Sequence, residues 1–192
     1  MRAQYVSGAK EWWAICHSKN TLRRLKDGDL DNKARHYDLL LISVDSPIML
    51  GIYRDKNLLQ SFAKDGKFSD TLPNLFSEIF RDMGEDFDIY YANGPGNFSA
   101  IKLTHIFLQS LVIARNNVNQ KHKIRLFCAD SFHFSKSEFI NAYSKIHFCK
   151  KDGEIHTTTL ESKWQNSFAL PQKLDLQIFS DKCEPLYILP AV

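Results

Sequence analysis

The sequence predicts an α/β fold, in which buried strands are followed by apolar helices. Three observations predict it. Residues 39–44 form a near-continuous apolar run, which is typical of a central strand covered on both faces. Residues 72–83 place apolar side chains at helical spacing. Residues 87–116 then run from an alternating strand through a glycine-rich turn into a second, longer helix.

The first half of the chain is predicted as a meander followed by a helix. The run at 39–44 ends at Asp45, and strands are expected at 48–53 and 58–63 with a turn over 54–57. Asp70 or Thr71 is the expected N-cap of the first helix, and Gly84 is expected to end it. Its apolar face is formed by Leu72, Leu75, Phe76, Ile79, Phe80 and Met83.

The second half is predicted to continue the strand and helix alternation. A strand at 87–92 leads to the turn, and Ser99 is the expected N-cap of a helix over 99–116. That helix is apolar on more than one face, which indicates either a central place in the core or a partner. Further strands are expected at 124–129, 139–149, 155–160 and 184–189. Asp152-Gly153 forms the hairpin turn between the second and third of these.

The turn at 94–99 is the main candidate site. A strand, a glycine turn and a helix N-terminus direct backbone N–H groups to one place, which suits a phosphate or the close approach of another backbone. The spacing required for a P-loop, for a dinucleotide fingerprint and for a nucleophile elbow is absent. Both interpretations of the turn therefore stay open at this point.

Composition limits the function classes. With 44% hydrophobic and 12% aromatic residues among 192, the chain can form a substantial core, and we expect a cytosolic protein without a membrane helix or signal peptide. The scattered cysteines fit buried thiols better than zinc or redox motifs, and the histidines show no metal-ligand spacing. The cysteines are Cys16, Cys128, Cys149 and Cys183.

Residues 1–37 differ from the rest. Residues 1–38 carry eight Lys/Arg and five Asp/Glu, whereas residues 39–192 carry seventeen of each. The neutral body argues against a large nucleic-acid face. The basic stretch over 19–35 is interpreted as a solvated tail, with contact to a phosphate backbone as the alternative. A start codon placed too far upstream would give the same appearance.

The turn and its surroundings carry a specific resemblance. The sequence from Gly94 to Leu103, Gly-Pro-Gly-Asn-Phe-Ser-Ala-Ile-Lys-Leu, resembles the Gly-Pro-Gly-Ser-Phe-Thr-Gly-Leu-Arg-Ile signature of the TsaB (YeaZ) family. The strand end at 43–46, the helix start at 69–73 and the stretch at 185–188 resemble other family segments in the same order. The family's usual histidine before the first helix is absent, and Thr104 replaces a small glycine.

The resemblance implies a fold and a role. The β-β-β-α-β-α-β order is that of one lobe of the actin-like ATPase (ASKHA, ribonuclease H-like) fold. We therefore expect an extension over 1–37, an actin-like lobe over 38–116 and a reduced, degenerate second lobe over 117–192. The family is a non-catalytic subunit of the complex that makes threonylcarbamoyladenosine (t6A) in tRNA. The resemblance implies that the partners are the catalytic paralogue TsaD and the ATPase TsaE, or a second copy of this chain in a homodimer. It implies contact with tRNA only through the assembled complex.

The same resemblance implies where partners bind. The chain alone is expected to hold no cofactor or metal, with ATP only at the level of the complex. The signature turn, comprising Gly94, Pro95, Gly96, Asn97, Phe98 and Ser99, and the nearby Asp45 are candidates for nucleotide or partner contact. The interface candidates, each of which has burial in the core as its alternative, are Leu72, Leu75, Phe76, Ile79, Ile101, His105, Leu108 and Val112.

An enzyme is the alternative from another class. A nucleotide-hydrolysing or peptidase-like protein of this fold would act at Asp45 and the turn. Asp45 could accept a proton or reach magnesium through water, although a strand-end Asp often only caps a turn. Ser99 has no histidine or aspartate at a motif spacing, so nucleophilic catalysis has little support.

Overall fold

The computed structural model describes residues 36–83, 87–118, 123–161 and 165–189. The predicted extension over 1–37 therefore lies outside the described residues, apart from its last two. The predicted helix end at Gly84 and the thiol of Cys16 also lie outside them.

A five-stranded sheet forms the centre of the fold. Its strands are β1 (Tyr37–Ile42), β2 (Ile48–Arg54), β3 (Asn57–Lys64), β4 (Phe87–Ala92) and β5 (Leu126–Ala129), in the order β3-β2-β1-β4-β5. The first three form an antiparallel meander, while β4 is parallel to β1 and β5 is parallel to β4. The predicted α/β class and the central place of β1 are confirmed. Since β5 belongs to this sheet, the sheet extends beyond residue 116, where the first lobe was expected to end.

Helices cover one face of the sheet. Helix α1 (Phe68–Met83) and helix α2 (Phe98–Val118) enclose a core with Leu39 and Leu41 of β1. The Phe76 and Phe107 rings lie 5.3 Å apart and join the two helices. Helix α1 begins before the predicted caps, because the Lys67 carbonyl already accepts hydrogen bonds from the N–H groups of residues 70 and 71.

The alternate residues of β1, Leu40 and Ile42, face a second core cluster on the other side of the sheet. This face is covered by residues 165–189, which we call the C-terminal segment. The segment has little regular structure, apart from a short 3₁₀-helix at Leu176–Ile178. Single bridges pair it with distant elements, namely Lys173 with Asn57, Phe168 with Ser135 and Ser180 with Cys128. The predicted strand at 184–189 is wrong, because these residues join no sheet.

A second, smaller sheet is an antiparallel meander of β6 (Phe139–Tyr143), β7 (Ile146–Lys151) and β8 (Glu154–Thr159). The hairpin at Asp152-Gly153 is confirmed, and both residues have the positive φ that such a turn requires. The single strand predicted at 139–149 is wrong. A tight turn at Ser144, whose φ is 52°, divides it into β6 and β7.

Candidate functional site

The turn between β4 and α2 lies where four segments meet. The Asn97 N–H donates to the Val44 carbonyl after β1 (2.8 Å), and the Ser131 N–H donates to the Gly94 carbonyl (2.6 Å). On a third side, the Leu186 N–H donates to the Asn93 carbonyl (2.8 Å). The turn is therefore held by backbone hydrogen bonds to segments before and after it in the chain.

Its two glycines are required by these close approaches. A Cβ on Gly96 would lie 2.6 Å from the Val44 carbonyl oxygen and 2.8 Å from the Val44 Cβ. A Cβ on Gly94 would lie 2.6 Å from the Leu186 carbonyl oxygen, and its φ of 125° is in any case unfavourable for L side chains. Of the two interpretations of the turn, close backbone approach thus has direct support, because the protein's own carbonyls occupy the space beside both glycines.

Asn97, and not Ser99, caps helix α2. Its side-chain oxygen accepts a hydrogen bond from the Ala100 N–H (3.1 Å). Both residue types can cap, and the helix begins at Phe98, one residue before the predicted start. Ser99 is exposed, and within the described ranges no histidine or carboxylate is hydrogen-bonded to it. The geometry therefore offers no activated nucleophile at this position.

Asp45 holds the two sheets together. One carboxylate oxygen accepts a hydrogen bond from the Ser46 N–H (2.8 Å), and this bond caps the turn after β1. The other oxygen accepts a hydrogen bond from the Asn166 side-chain amide (2.6 Å). Asn166 in turn accepts from the Asn141 N–H on β6 (2.6 Å) and donates to the Asn141 carbonyl (3.3 Å). Both oxygens of Asp45 thus have hydrogen-bond donors from the protein, as expected for a structural turn cap.

A small apolar cavity of about 190 Å³ lies beside the signature turn. Phe98 packs on Tyr187 of the C-terminal segment with a ring separation of 4.8 Å, and both rings are partly exposed. Tyr143 and Phe148 of the second sheet also line the cavity. The cavity was not predicted from the sequence, because its walls come from three separate parts of the chain.

Most of the predicted interface candidates are core residues. Leu72, Leu75, Phe76, Ile79, Ile101 and Leu108 are at most 4% exposed and pack inside this chain. Their assignment to an interface is corrected to the core, since a partner could not reach them without unfolding the helices. His105 and Val112 are half-buried.

The accessible apolar residues of α2 lie on its other side. Leu103, Ile106 and Ile113 are 43%, 52% and 61% exposed, and we call these three residues the outward stripe. They follow a spacing of three and then seven residues, which places them on one helix face. The sequence contained this periodicity, but a helix that is apolar on several faces does not show which face meets the sheet.

A buried charged cluster lies at the other end of the parallel strands. Asp88 of β4 is 1% exposed, and Arg125 donates to both of its carboxylate oxygens. His36 and Asp38 lie beside it, and burial raises the pKa of Asp38. The His36, Asp38 and Asp88 ligand atoms lie within 4.8 Å of one another, a spacing that could suit a metal ion. However, the Asp88 carboxylate is already satisfied by a guanidinium, so the cluster is best explained as a structural ion pair.

Comparison with known proteins gave matches at the level of structure. No protein-family model and no curated protein matches the chain. Among solved structures it is similar to YeaZ from Pseudomonas aeruginosa, with a TM-score of 0.45 and 12% identity, over 73% of this chain and 70% of that one.

A second solved structure is described as an uncharacterized protein with similarity to peptidase YeaZ from Pseudomonas aeruginosa. It has the same TM-score of 0.45 and 12% identity, over 73% of this chain and 69% of that one. In the parts of the chain that the structure describes, no helix has the length and apolar character needed to cross a membrane.

Proposed function

We propose that this chain is a non-catalytic scaffold subunit that binds a catalytic paralogue of the TsaD type and supports t6A formation in tRNA. The proposal rests on the signature resemblance at 94–103 and on the architecture around it. The strand order β3-β2-β1-β4-β5, with a meander followed by two parallel crossovers, supports the proposal because it is the order that we expect of an actin-like lobe. The smaller second sheet would then be the reduced second lobe.

The observation that carries the proposal is the outward stripe. Helix α2 is fixed to the sheet by Ala100, Ile101, Thr104 and Leu108, while its opposite side presents Leu103, Ile106 and Ile113 to solvent. Exposed apolar residues on one face of a well-anchored helix are a feature of helix-to-helix interfaces. The stripe begins at Leu103, which is four residues after the signature turn and is the last residue of the stretch that carries the resemblance.

The alternative, an enzyme acting at Asp45 and the turn, has less support from the geometry. Backbone carbonyl groups fill the space beside both glycines of the turn, and both Asp45 carboxylate oxygens accept hydrogen bonds from the protein. A nucleotide could bind here only if the turn and Asp45 gave up these contacts with the rest of the protein. In the proposed role, ATP and the ATPase TsaE act at the level of the assembled complex, and tRNA is met there as well.

Co-purification tests the proposal. The full chain is co-expressed with a TsaD-type protein, and the pair is isolated through a tag on the latter. We expect a stable complex, and Ile106→Asp should weaken it by about a hundredfold, because a charge would be buried without a partner. Thr157→Asp introduces the same charge at an exposed position of β8 and serves as the matched control, which should bind like wild type.

Two further measurements separate the outcomes. Sedimentation of the chain alone shows whether the outward stripe pairs with a second copy, in which case Ile106→Asp should yield monomers. Failure to bind the TsaD-type protein, or equal binding by Ile106→Asp and wild type, would refute the scaffold proposal. ATP hydrolysis by the isolated chain that is lost in Asp45→Ala would favour the enzyme.

A further inference from the structure

Two thiols from distant parts of the chain lie against each other at the edge of the large sheet. Cys128 lies on β5, and Cys183 belongs to the C-terminal segment. The backbones are paired next to them, since the Cys128 N–H donates to the Ser180 carbonyl and the Ser180 N–H donates to the Cys128 carbonyl, both at 2.8 Å. Next to this pairing, the Cys128 thiol donates to the Lys182 carbonyl (3.5 Å) and the Cys183 thiol donates to the Ser180 carbonyl (3.8 Å). Cys183 also packs against the core cluster that contains Cys128.

The surroundings make the two sulfurs unequal. The nearby Cys183 side chain lowers the pKa of Cys128, while the nearby Cys128 side chain, followed by burial, raises the pKa of Cys183. Cys183 is therefore the thiol of the pair that keeps its proton more readily, and it donates to the Ser180 carbonyl. Cys183 is half-buried, whereas Cys128 is 4% exposed, so a reagent must be small to reach the Cys128 sulfur. The thiolate is the reactive form of cysteine, which makes Cys128 the nucleophile of the pair.

We propose that Cys128 and Cys183 form an oxidation site at which hydrogen peroxide produces an intramolecular disulfide. The Cys128 thiolate attacks one peroxide oxygen, the O–O bond breaks, and the departing hydroxide takes a proton to become water. Cys128 is then a sulfenic acid. The Cys183 sulfur attacks the Cys128 sulfur, the S–O bond breaks, and the hydroxide leaves as a second water with the Cys183 proton. Two thiols are oxidised to one disulfide, and the peroxide is reduced to two waters.

The disulfide would restrict the movement of one wall of the apolar cavity. Three residues beyond Cys183, the Leu186 N–H is bonded to Asn93, and residues 186–189 line the cavity beside the signature turn. In the reduced protein the part of the segment just before this stretch is held to β5 by the Cys128 to Ser180 bridge and by the hydrogen bond from the Cys128 thiol to the Lys182 carbonyl. A covalent link next to that bridge would limit its opening and would keep the cavity wall in place. The inference does not depend on the proposed function.

Peptide mapping tests the proposal on the full chain. The reduced protein is freed of reductant, treated with equimolar hydrogen peroxide, blocked with an alkylating reagent and digested with trypsin without reduction. We expect a disulfide-linked pair of the peptides 126–136 and 183–192, and its loss after dithiothreitol treatment. Cys149→Ala removes a buried thiol of β7 and serves as the control that should still form the link.

A variant and a second readout complete the test. Cys183→Ala changes a half-buried residue and should leave a Cys128 sulfenic acid that dimedone traps. In the oxidised wild type, amide exchange over 184–189 should slow by about tenfold. A link from Cys128 to Cys16 or Cys149, a link between two chains, or oxidation of Cys128 to the sulfinic acid with Cys183 still reduced would each overturn the proposal.

Discussion

Replacing Gly96 by alanine tests whether the signature turn exists for backbone packing. The new Cβ would lie 2.6 Å from the Val44 carbonyl oxygen, which real Cβ atoms essentially never do, so the turn must move away from β1. That movement stretches the 2.8 Å hydrogen bond from the Asn97 N–H to the same oxygen. Overpacking costs about 1–3 kcal/mol and a lost hydrogen bond about 1 kcal/mol, while the stiffer unfolded chain returns about 0.7 kcal/mol.

The expected net loss is about 2–3 kcal/mol in the free energy of unfolding, or a decrease in Tm of about 4–12 °C for a chain of this size. Urea and thermal denaturation of the full chain measure it. Ser99→Ala lies in the same turn but is exposed, and it should stay within about 0.5 kcal/mol of wild type. If Gly96→Ala were as stable as wild type and instead lost affinity for a nucleotide, the packing interpretation would be wrong and the turn would be a phosphate site.

Three other substitutions test the core, the link between the sheets and the charged cluster. Phe76→Ala should lower the free energy of unfolding by about 3–5 kcal/mol, whereas Leu103→Ala on the outward stripe should change it by less than about 0.5 kcal/mol; equal effects would mean that α1 is not packed as described. Asn166→Ala should cost about 1–3 kcal/mol because it removes hydrogen bonds to Asp45 and β6, and wild-type stability in urea would contradict the bridging role. Asp38→Asn should raise Tm at pH 7. Burial raises the pKa of Asp38 in the folded state, so the free energy of unfolding of the wild type falls as pH rises through the folded-state pKa. The higher Tm of the variant should therefore disappear near pH 3, below the ordinary Asp pKa of 3.8. A higher Tm that persists in acid would refute this assignment.

Local signals in the sequence predicted the elements whose causes are local. The apolar run of β1 is typical of a strand covered on both faces, and Asp152-Gly153 specified its turn by its own backbone preferences. The turn at Ser144 was missed because serine has no special preference for positive φ. The segment at 184–189 has strand-like residues, but its hydrogen bonds go to single distant groups, which periodicity does not reveal.

The site was harder to predict because its contacts are long-range. The sequence indicated that α2 is apolar on several faces, but the identity of the outward face depends on where the sheet lies. The buried carboxylate of Asp88 was visible as a polar residue within an apolar strand, while its partner Arg125 is 37 positions away. The sequence showed that the turn contains two glycines. Only the positions of the Val44 and Leu186 carbonyls in the fold show that the glycines make room for backbone groups.

The C-terminal segment has a consequence for the order in which the chain acquires its structure. Asn166 is 121 positions from Asp45, and Lys173 bridges to Asn57, so these contacts close very long loops. Such contacts form slowly, because the loop entropy must be overcome before they contribute stability. During synthesis on the ribosome, the sheet and both helices emerge before the segment does. Until the C-terminal segment emerges, the face of β1 that carries Leu40 and Ile42 stays exposed to solvent. We expect a chaperone to bind the nascent chain at this apolar surface.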